Sequence, residues 1–106
     1  MKKIILILML AFICSISFGQ NKAEAEQLVE EGIVFHDNGD YSGAISKYDK
    51  ALKLDKNNLF ALTEKAVSLV AIQKYDEAIK YCQNAITTHS GDDGLYAVYV
   101  TYGNAV

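Results

Sequence analysis

The sequence contains neither proline nor arginine, and it has only two cysteines in 106 residues. The absence of proline, together with a hydrophobic content of 51%, excludes a disordered or fibrous chain and favours one small helical domain. All ten basic residues are lysines. They alternate with acids and form no cluster that could neutralise several phosphates at once, so nucleic acid is not an expected partner.

Residues 1–19 have the pattern of a secretory signal peptide. Lys2 and Lys3 precede an unbroken apolar run from Ile4 to Cys14, and small or polar residues follow. A membrane anchor is the alternative, but it would need about 20 consecutive apolar residues, and this run is shorter. We therefore predict cleavage between Gly19 and Gln20, a secreted or periplasmic location in the cell envelope, and no membrane span in the mature chain.

Cleavage would also change the charge and the thiol content. A lipid anchor on Cys14 is disfavoured, because Ile13 stands where a lipoprotein signal has a small residue. Loss of residues 1–19 removes two lysines and leaves eight against 13 acids, so the formal charge changes from −3 to −5. Cys82 then remains as the only thiol, which excludes an internal disulfide.

The rest of the sequence repeats itself at an offset of 34 residues. Within each unit the apolar residues recur at steps of three and four, which is typical of amphipathic helices. The matched pairs are Leu28 and Leu62, Gly32 and Ala66, Phe35 and Leu69, Tyr41 and Tyr75, Ala44 and Ala78, Ile45 and Ile79, and Ala51 and Ala85.

Each unit is therefore predicted to be a pair of helices joined by a short turn. The predicted helices cover residues 23–36, 41–54, 59–72 and 75–88, and Asn38, Gly39 and Asp40 supply the first turn. Two helices joined so tightly must approach closely along their shared face, which requires small residues such as Gly32 and Ala44.

Residues 25–58 resemble a tetratricopeptide repeat along their whole length. Residues 59–92 are a more divergent copy, residues 20–24 are a predicted linker, and residues 93–106 are predicted to be the first helix of a truncated third repeat. The resemblance implies an all-α fold in which antiparallel helix-turn-helix repeats stack as a short right-handed α-solenoid. It rests on Gly32, Gly39, Asp40, Tyr41, Ala44, Tyr48, Ala51, Leu54, Asp55, Asn57 and Asn58.

Glu31 and Lys65 stand where the family usually has a leucine. They could pair with one another across neighbouring helices, but we favour two solvated side chains at a loose seam. Lys56 and Ser90 replace the usual proline, and neither departure removes the predicted fold.

The sequence contains no recognised catalytic or metal-binding motif. It has no paired cysteines, no histidine pair at helical spacing, no glycine-rich phosphate loop and no GxSxG elbow, so we predict no enzyme, metal or cofactor. His36 is expected at an exposed helix end and His89 on a loop. Asp92 and Asp93 could suggest a calcium loop, but they lack EF-hand spacing and are predicted to cap the last helix.

In the family that the chain resembles, the first helices of successive repeats line a concave groove that holds an extended peptide or a partner helix. An apolar groove edged by Glu26, Glu30 and Asp37 would suit a hydrophobic segment with basic flanks. The lysine and asparagine that some members use to hold a C-terminal carboxylate are absent, so a carboxylate-terminated tail is not expected. The groove candidates carried over are Val29, Ile33, His36, Asp37, Phe60, Thr63, Val67 and Val70.

These patterns predict a scaffold or adaptor of the bacterial cell envelope that binds a protein or peptide. One alternative is the N-terminal recognition arm of a larger exported enzyme or sensor protein. Another is a homodimer that self-associates through Tyr96, Tyr99 and Tyr102, because the C-terminal helix would leave an apolar face uncovered. To explain that uncovered face, we favour a fragment of a longer open reading frame over a surface that pairs with another chain.

Overall fold

The computed structural model describes the backbone of residues 2–106 and the side chains of residues 19–106. Five helices and no strand occupy that range. They are α1 (Lys2–Asp37), α2 (Tyr41–Leu54), α3 (Leu59–Ala71), α4 (Tyr75–Thr88) and α5 (Leu95–Ala105). Among the described residues, no helix is long and apolar enough to cross a membrane. The signal peptide prediction falls on side chains outside the described residues.

The helix boundaries follow the turns that the sequence predicts. Helices α2 and α4 begin and end at the predicted residues, and α3 ends one residue early at Ala71. The Asp40 carboxylate accepts a hydrogen bond from the Gly43 amide at 2.9 Å, and the Asn58 side chain accepts one from the Ala61 amide at 3.0 Å. These two caps fix the starts of α2 and α3, because they satisfy amides that a helix leaves unpaired.

Two predictions at the helix ends were wrong. Residues 20–24, predicted as a linker, are part of α1, because the segment contains no helix breaker and includes good helix formers. Gly94 occupies the position before α5, and no side chain caps that helix. The Asp92 carboxylate accepts instead from the Gly94 amide at 2.7 Å, which closes the loop before the helix begins.

The helices stack in chain order as a helical repeat solenoid. One core cluster joins α1, α2 and α3, and a second joins α3, α4 and α5, with Leu52 of α2 packed against both. The predicted small positions lie at the centre of these clusters, and Ala44, Ala51, Ala78 and Ala85 are fully buried. Cys82 is a core residue, as predicted, and burial raises the pKa of its thiol.

Lys65 departs from the prediction of a solvated side chain. Its ammonium donates to the Asp49 carboxylate at 2.5 Å and to the Tyr81 hydroxyl at 2.6 Å, and only 11% of its side chain is exposed. Burial alone would lower the pKa of Lys65, but these bonds outweigh it and the pKa is raised. The aliphatic stem takes the space of the usual leucine while the charge reaches a partner. Glu31 pairs with Lys47 at 3.2 Å, not with Lys65.

The turns inside the first and the second repeat differ at one equivalent position. Gly39 has φ +83° in the first turn, and Gln73 has φ +63° in the second. A side chain in this left-handed region is strained, whereas glycine adopts it freely.

We expect Gln73→Gly to raise the free energy of unfolding by about 0.5–1 kcal/mol, measured by urea denaturation. The converse change, Gly39→Gln, should lower the free energy of unfolding by a similar amount. If Gln73→Gly leaves the free energy of unfolding unchanged, this account is wrong.

Candidate functional site

A pocket of about 560 Å³ lies among the first helices of the successive units. Helix α1 forms one wall, α3 forms the floor, and the α4–α5 loop with the start of α5 forms the other wall. The residues that line it are Lys22 and Glu26 of α1, Asn58, Leu59, Phe60, Thr63 and Glu64 at the start of α3, and His89, Asp92, Gly94 and Ala97 on the far side. The helices that the family resemblance assigns to the groove, α1, α3 and α5, therefore all contribute residues to this pocket.

The far wall is tied to the floor by a hydrogen bond across the chain. The ring Nε2 of His89 donates to the main-chain carbonyl of Asn57, since a carbonyl can only accept. This bond joins the α4–α5 loop to the turn before α3, where Asn58 caps the helix. His89 was predicted as loop surface, but it is half-buried and holds two sides of the pocket together.

The predicted groove residues are divided between the pocket and other places. Phe60, with 36% of its surface exposed, and the buried Thr63 line the pocket. Val29 is fully buried in the core beside Tyr48 and therefore offers no surface to a partner. The pocket does not include Ile33, Val67 or Val70, which are half-buried, nor His36 and the exposed Asp37.

His36 lies in a polar cluster, where an exposed helix-end histidine was expected. Its ring Nδ1 lies 2.8 Å from the hydroxyl of the buried Ser68, and its ring meets that of Tyr41 edge to face at 4.8 Å. The hydroxyl of Tyr48 is buried, and among the described side chains it has no hydrogen-bond partner. The bond between His36 and Ser68 connects α1 to α3.

Glu64 was missed at the sequence level, and it connects the pocket to that cluster. It lines the pocket and is half-buried. Burial raises the pKa of its carboxyl, His36 opposes the rise, and the negative charge of Asp37 adds to it. Its spacing from Phe60 was the available signal, because residues four apart share one face of a helix.

The lining of the pocket combines an apolar floor with excess negative charge. Phe60, Leu59 and Ala97 are apolar, while Glu26, Glu64 and Asp92 oppose the single lysine of the lining, Lys22. Within the described part of the chain no group of three or more histidine, cysteine, aspartate or glutamate side chains could hold a metal ion. The arrangement is suited to bind an apolar group together with a positive charge.

Comparison with known proteins connects this geometry to one family. A family model described as tetratricopeptide repeat matches residues 22–58. The chain is 34% identical over 68 residues to the small glutamine-rich tetratricopeptide repeat-containing protein 2 of Saccharomyces cerevisiae, covering 64% of the chain and 20% of that protein. It is 37% identical over 57 residues to the Hsp70-Hsp90 organizing protein of Triticum aestivum, covering 54% of the chain and 10% of that protein. The chain thus spans a fifth or less of these relatives.

A solved structure is similar over most of the chain. It is the second TPR of Spaghetti (RPAP3), bound to the HSP90 peptide SRMEEVD. The two share 33% sequence identity with a TM-score of 0.71, and the match covers 81% of this chain and 77% of that one.

Proposed function

This chain belongs to the tetratricopeptide repeat family, and we propose that it is a non-enzymatic adaptor that holds a short segment of a partner protein in the pocket between α1, α3 and α5. The observation that carries the proposal is the pocket itself, which all three first helices line and whose floor presents Phe60. The similar domain of Spaghetti, which is solved with a bound peptide, supports the same use of the fold.

We propose further that the bound segment is apolar with basic flanks. The peptide on the Spaghetti domain, SRMEEVD, is acidic. In this chain three carboxylates and one lysine line the pocket, so an acidic peptide would meet repulsion and a basic one attraction. The exposed Glu30 and Asp37 add negative charge to α1, the helix that also contributes Lys22 and Glu26 to the pocket.

The proposal is tested with two fluorescently labelled peptides of equal length that share their apolar residues and have opposite net charge. One is SRMEEVD, and the other is SRMKKVK with an amidated C-terminus, which keeps the methionine and the valine. We expect the basic peptide to bind about tenfold more tightly or better, and to weaken as salt increases. Fluorescence anisotropy measures both. Tighter binding of SRMEEVD, or binding of neither peptide, would refute the proposed ligand class.

Glu64 provides a prediction that separates stability from binding. Its raised pKa means that folding disfavours the carboxylate, so this group's contribution to stability is fully present below the ordinary carboxyl pKa and is lost as the pH rises through the raised pKa. Glu64→Gln should therefore raise the melting temperature at pH 7 and leave it almost unchanged in acid. Glu64→Gln should also weaken binding of the basic peptide, because it removes the carboxylate that attracts a cation of the ligand. Thermal unfolding and anisotropy across pH measure the two effects.

A suitable control for that prediction is Glu30→Gln. Glu30 is exposed on α1 and does not line the pocket. Glu30→Gln should change the melting temperature less than Glu64→Gln does. It should also change the pH dependence of peptide binding less. Equal behaviour of the two variants would show that burial at Glu64 has no part in recognition.

We also propose that the protein is exported and acts as an adaptor in a bacterial cell envelope. The support is the pair of lysines before the apolar run from Ile4 to Cys14. N-terminal sequencing of the protein recovered from expressing bacteria should begin at Gln20, in a periplasmic or extracellular fraction. Recovery of an uncleaved chain in the cytoplasmic fraction would overturn this part of the proposal.

A further inference from the structure

The hydroxyl of Tyr48 is a buried polar group without a partner. Of the seven tyrosines in the chain, Tyr48 is the one that is fully buried, and among the described side chains its hydroxyl has no hydrogen-bond partner. The tyrosines of the predicted self-association face differ from it, since Tyr96 and Tyr99 are exposed and Tyr102 is half-buried and packs against the core. A buried hydroxyl that makes no hydrogen bond is costly, so a ligand group that bonds to it gains affinity.

The Tyr48 side chain reaches from α2 to the contact between α1 and α3. Its ring lies against Gly32 of α1, where an added Cβ would meet Cε1, Cδ1 and Cζ of the ring. Burial raises the pKa of Tyr48, and the Ser68 hydroxyl of α3 is close enough to oppose that rise. The Ser68 hydroxyl, however, lies 2.8 Å from Nδ1 of His36. The geometry therefore pairs Ser68 with His36 and leaves the Tyr48 hydroxyl unpaired.

Two carboxylates act on the same hydroxyl from different helices. Beyond the effect of burial, the negative charges of Glu64 on α3 and Asp37 at the end of α1 both raise the pKa of Tyr48 further. Because Glu64 lines the pocket and Asp37 is exposed, both carboxylates are accessible to a bound segment. The residues here called the polar subsite are His36, Asp37, Tyr48, Glu64 and Ser68.

The chemistry of the polar subsite is suited to an ammonium group. An ammonium carries three donors and no acceptor, so it can bond at once to a carboxylate and to the oxygen of a hydroxyl. A guanidinium is a planar fork that matches one carboxylate better than groups on separate helices. The protein already holds one of its own ammonium groups in this way, since Lys65 donates to the Asp49 carboxylate and to the Tyr81 hydroxyl.

Spacing along α3 sets the distance between the apolar floor of the pocket and the polar subsite. Phe60, Glu64 and Ser68 follow one another at steps of four residues and therefore share one face of the helix. Eight residues of helix extend over about 12 Å. An extended peptide covers that distance in about four residues, and its residues four apart point to the same side.

We infer that the polar subsite receives a lysine side chain of the bound segment, four residues from the apolar residue that contacts Phe60. The inference rests on the proposed function. It adds the identity of the basic residue and its spacing from the apolar one.

Two amidated peptides of identical composition, KSGSMSGSK and SSGKMKGSS, test the spacing. The first has a lysine four residues from the methionine on both sides, so either chain direction places one in the polar subsite. In the second, both lysines adjoin the methionine. Both are labelled at the N-terminus and measured by fluorescence anisotropy at pH 8, where histidine ordinarily carries no charge. We expect KSGSMSGSK to bind at least about fivefold more tightly; equal affinities would contradict the inferred spacing.

Tyr48→Phe tests the part of the hydroxyl in binding. It should reduce the preference for KSGSMSGSK to less than about twofold. It should also raise the melting temperature or leave it unchanged, because the hydroxyl that it removes has no partner in the free protein.

Tyr81→Phe is the matched control, since it removes a hydroxyl that accepts from Lys65 and lies outside the pocket. It should lower the melting temperature and keep the peptide preference. If Tyr48→Phe keeps the preference, or lowers the melting temperature as much as Tyr81→Phe does, the inference is wrong. Equal affinity for RSGSMSGSR would overturn the choice of lysine.

These results separate the inference from the proposed function. If SRMKKVK binds more tightly than SRMEEVD but KSGSMSGSK is not preferred over SSGKMKGSS, the polar subsite is wrong and the proposed ligand class stands. If SRMKKVK is not preferred over SRMEEVD, the proposed ligand class itself fails.

Discussion

Replacing Gly32 with alanine is expected to lower the free energy of unfolding by about 2–3 kcal/mol, because it overpacks a fully occupied core. The new methyl carbon would lie 2.4 Å from Cε1 and 2.9 Å from Cδ1 of Tyr48. Tyr48 cannot easily move away, since it is fully buried in the core cluster that α1, α2 and α3 form. Urea denaturation followed by circular dichroism measures the loss, which should appear as a lower midpoint with the slope retained.

The control for this prediction is the same substitution where nothing obstructs it. Gly103→Ala meets no atom within 4 Å and replaces glycine within a helix, so it should raise the free energy of unfolding by up to about 1 kcal/mol. A second test combines Gly32→Ala with Tyr48→Leu, which removes the clashing ring. The cost of Gly32→Ala should then shrink. An equal cost in both backgrounds would mean that the ring is not the obstacle.

The sequence predicted the helices and the turns well because both depend on local chemistry. Tyr41–Leu54 and Tyr75–Thr88 were predicted to the residue, since small residues mark the packed faces and Asp40 marks a helix start. The 34-residue offset then supplied the second unit from the first. Local signals of this kind need no knowledge of distant contacts.

The site was harder to predict because its contacts join residues about one repeat apart. His36 bonds to Ser68, and His89 to Asn57, each across 32 positions of the chain. Neither bond leaves a mark in the local pattern, so both histidines were predicted as surface residues. Lys65 was misjudged for the same reason, because its partner Asp49 lies on the preceding repeat.

The groove prediction used a family register, which gives the helix face but not the depth of each side chain. Val29 and Thr63 occupy equivalent positions 34 residues apart, yet Val29 is sealed in the core and Thr63 borders the pocket. Thr63 lies in the same lining as His89, Asp92 and Gly94 of the α4–α5 loop, whereas Val29 packs in the cluster that contains Tyr48. Exposure at one position therefore depends on the neighbours that the next repeat supplies.

The proposed function implies that one scaffold can hold ligands of opposite charge, because the helices set the shape and a few side chains set the preference. Phe60 and Glu64 lie four residues apart on the floor of the pocket, so one ligand segment can contact both. In the proposed function, the apolar contact would supply affinity through burial, and the carboxylate would supply selectivity. Of the residues that line the pocket, Phe60 is therefore the one whose substitution should reduce peptide binding most.

Phe60→Lys is expected to raise the dissociation constant of the basic peptide by at least about a hundredfold. The change removes the aromatic contact and places a positive charge beside a positive ligand. Phe35→Lys is the matched control: Phe35 is 38% exposed, against 36% for Phe60, and it lies outside the pocket. Both variants lose a similar apolar surface, so their thermal stabilities should fall alike while only Phe60→Lys loses binding. If both lose the peptide equally, binding depends on the fold as a whole. If neither does, the peptide binds elsewhere and the pocket is not the site.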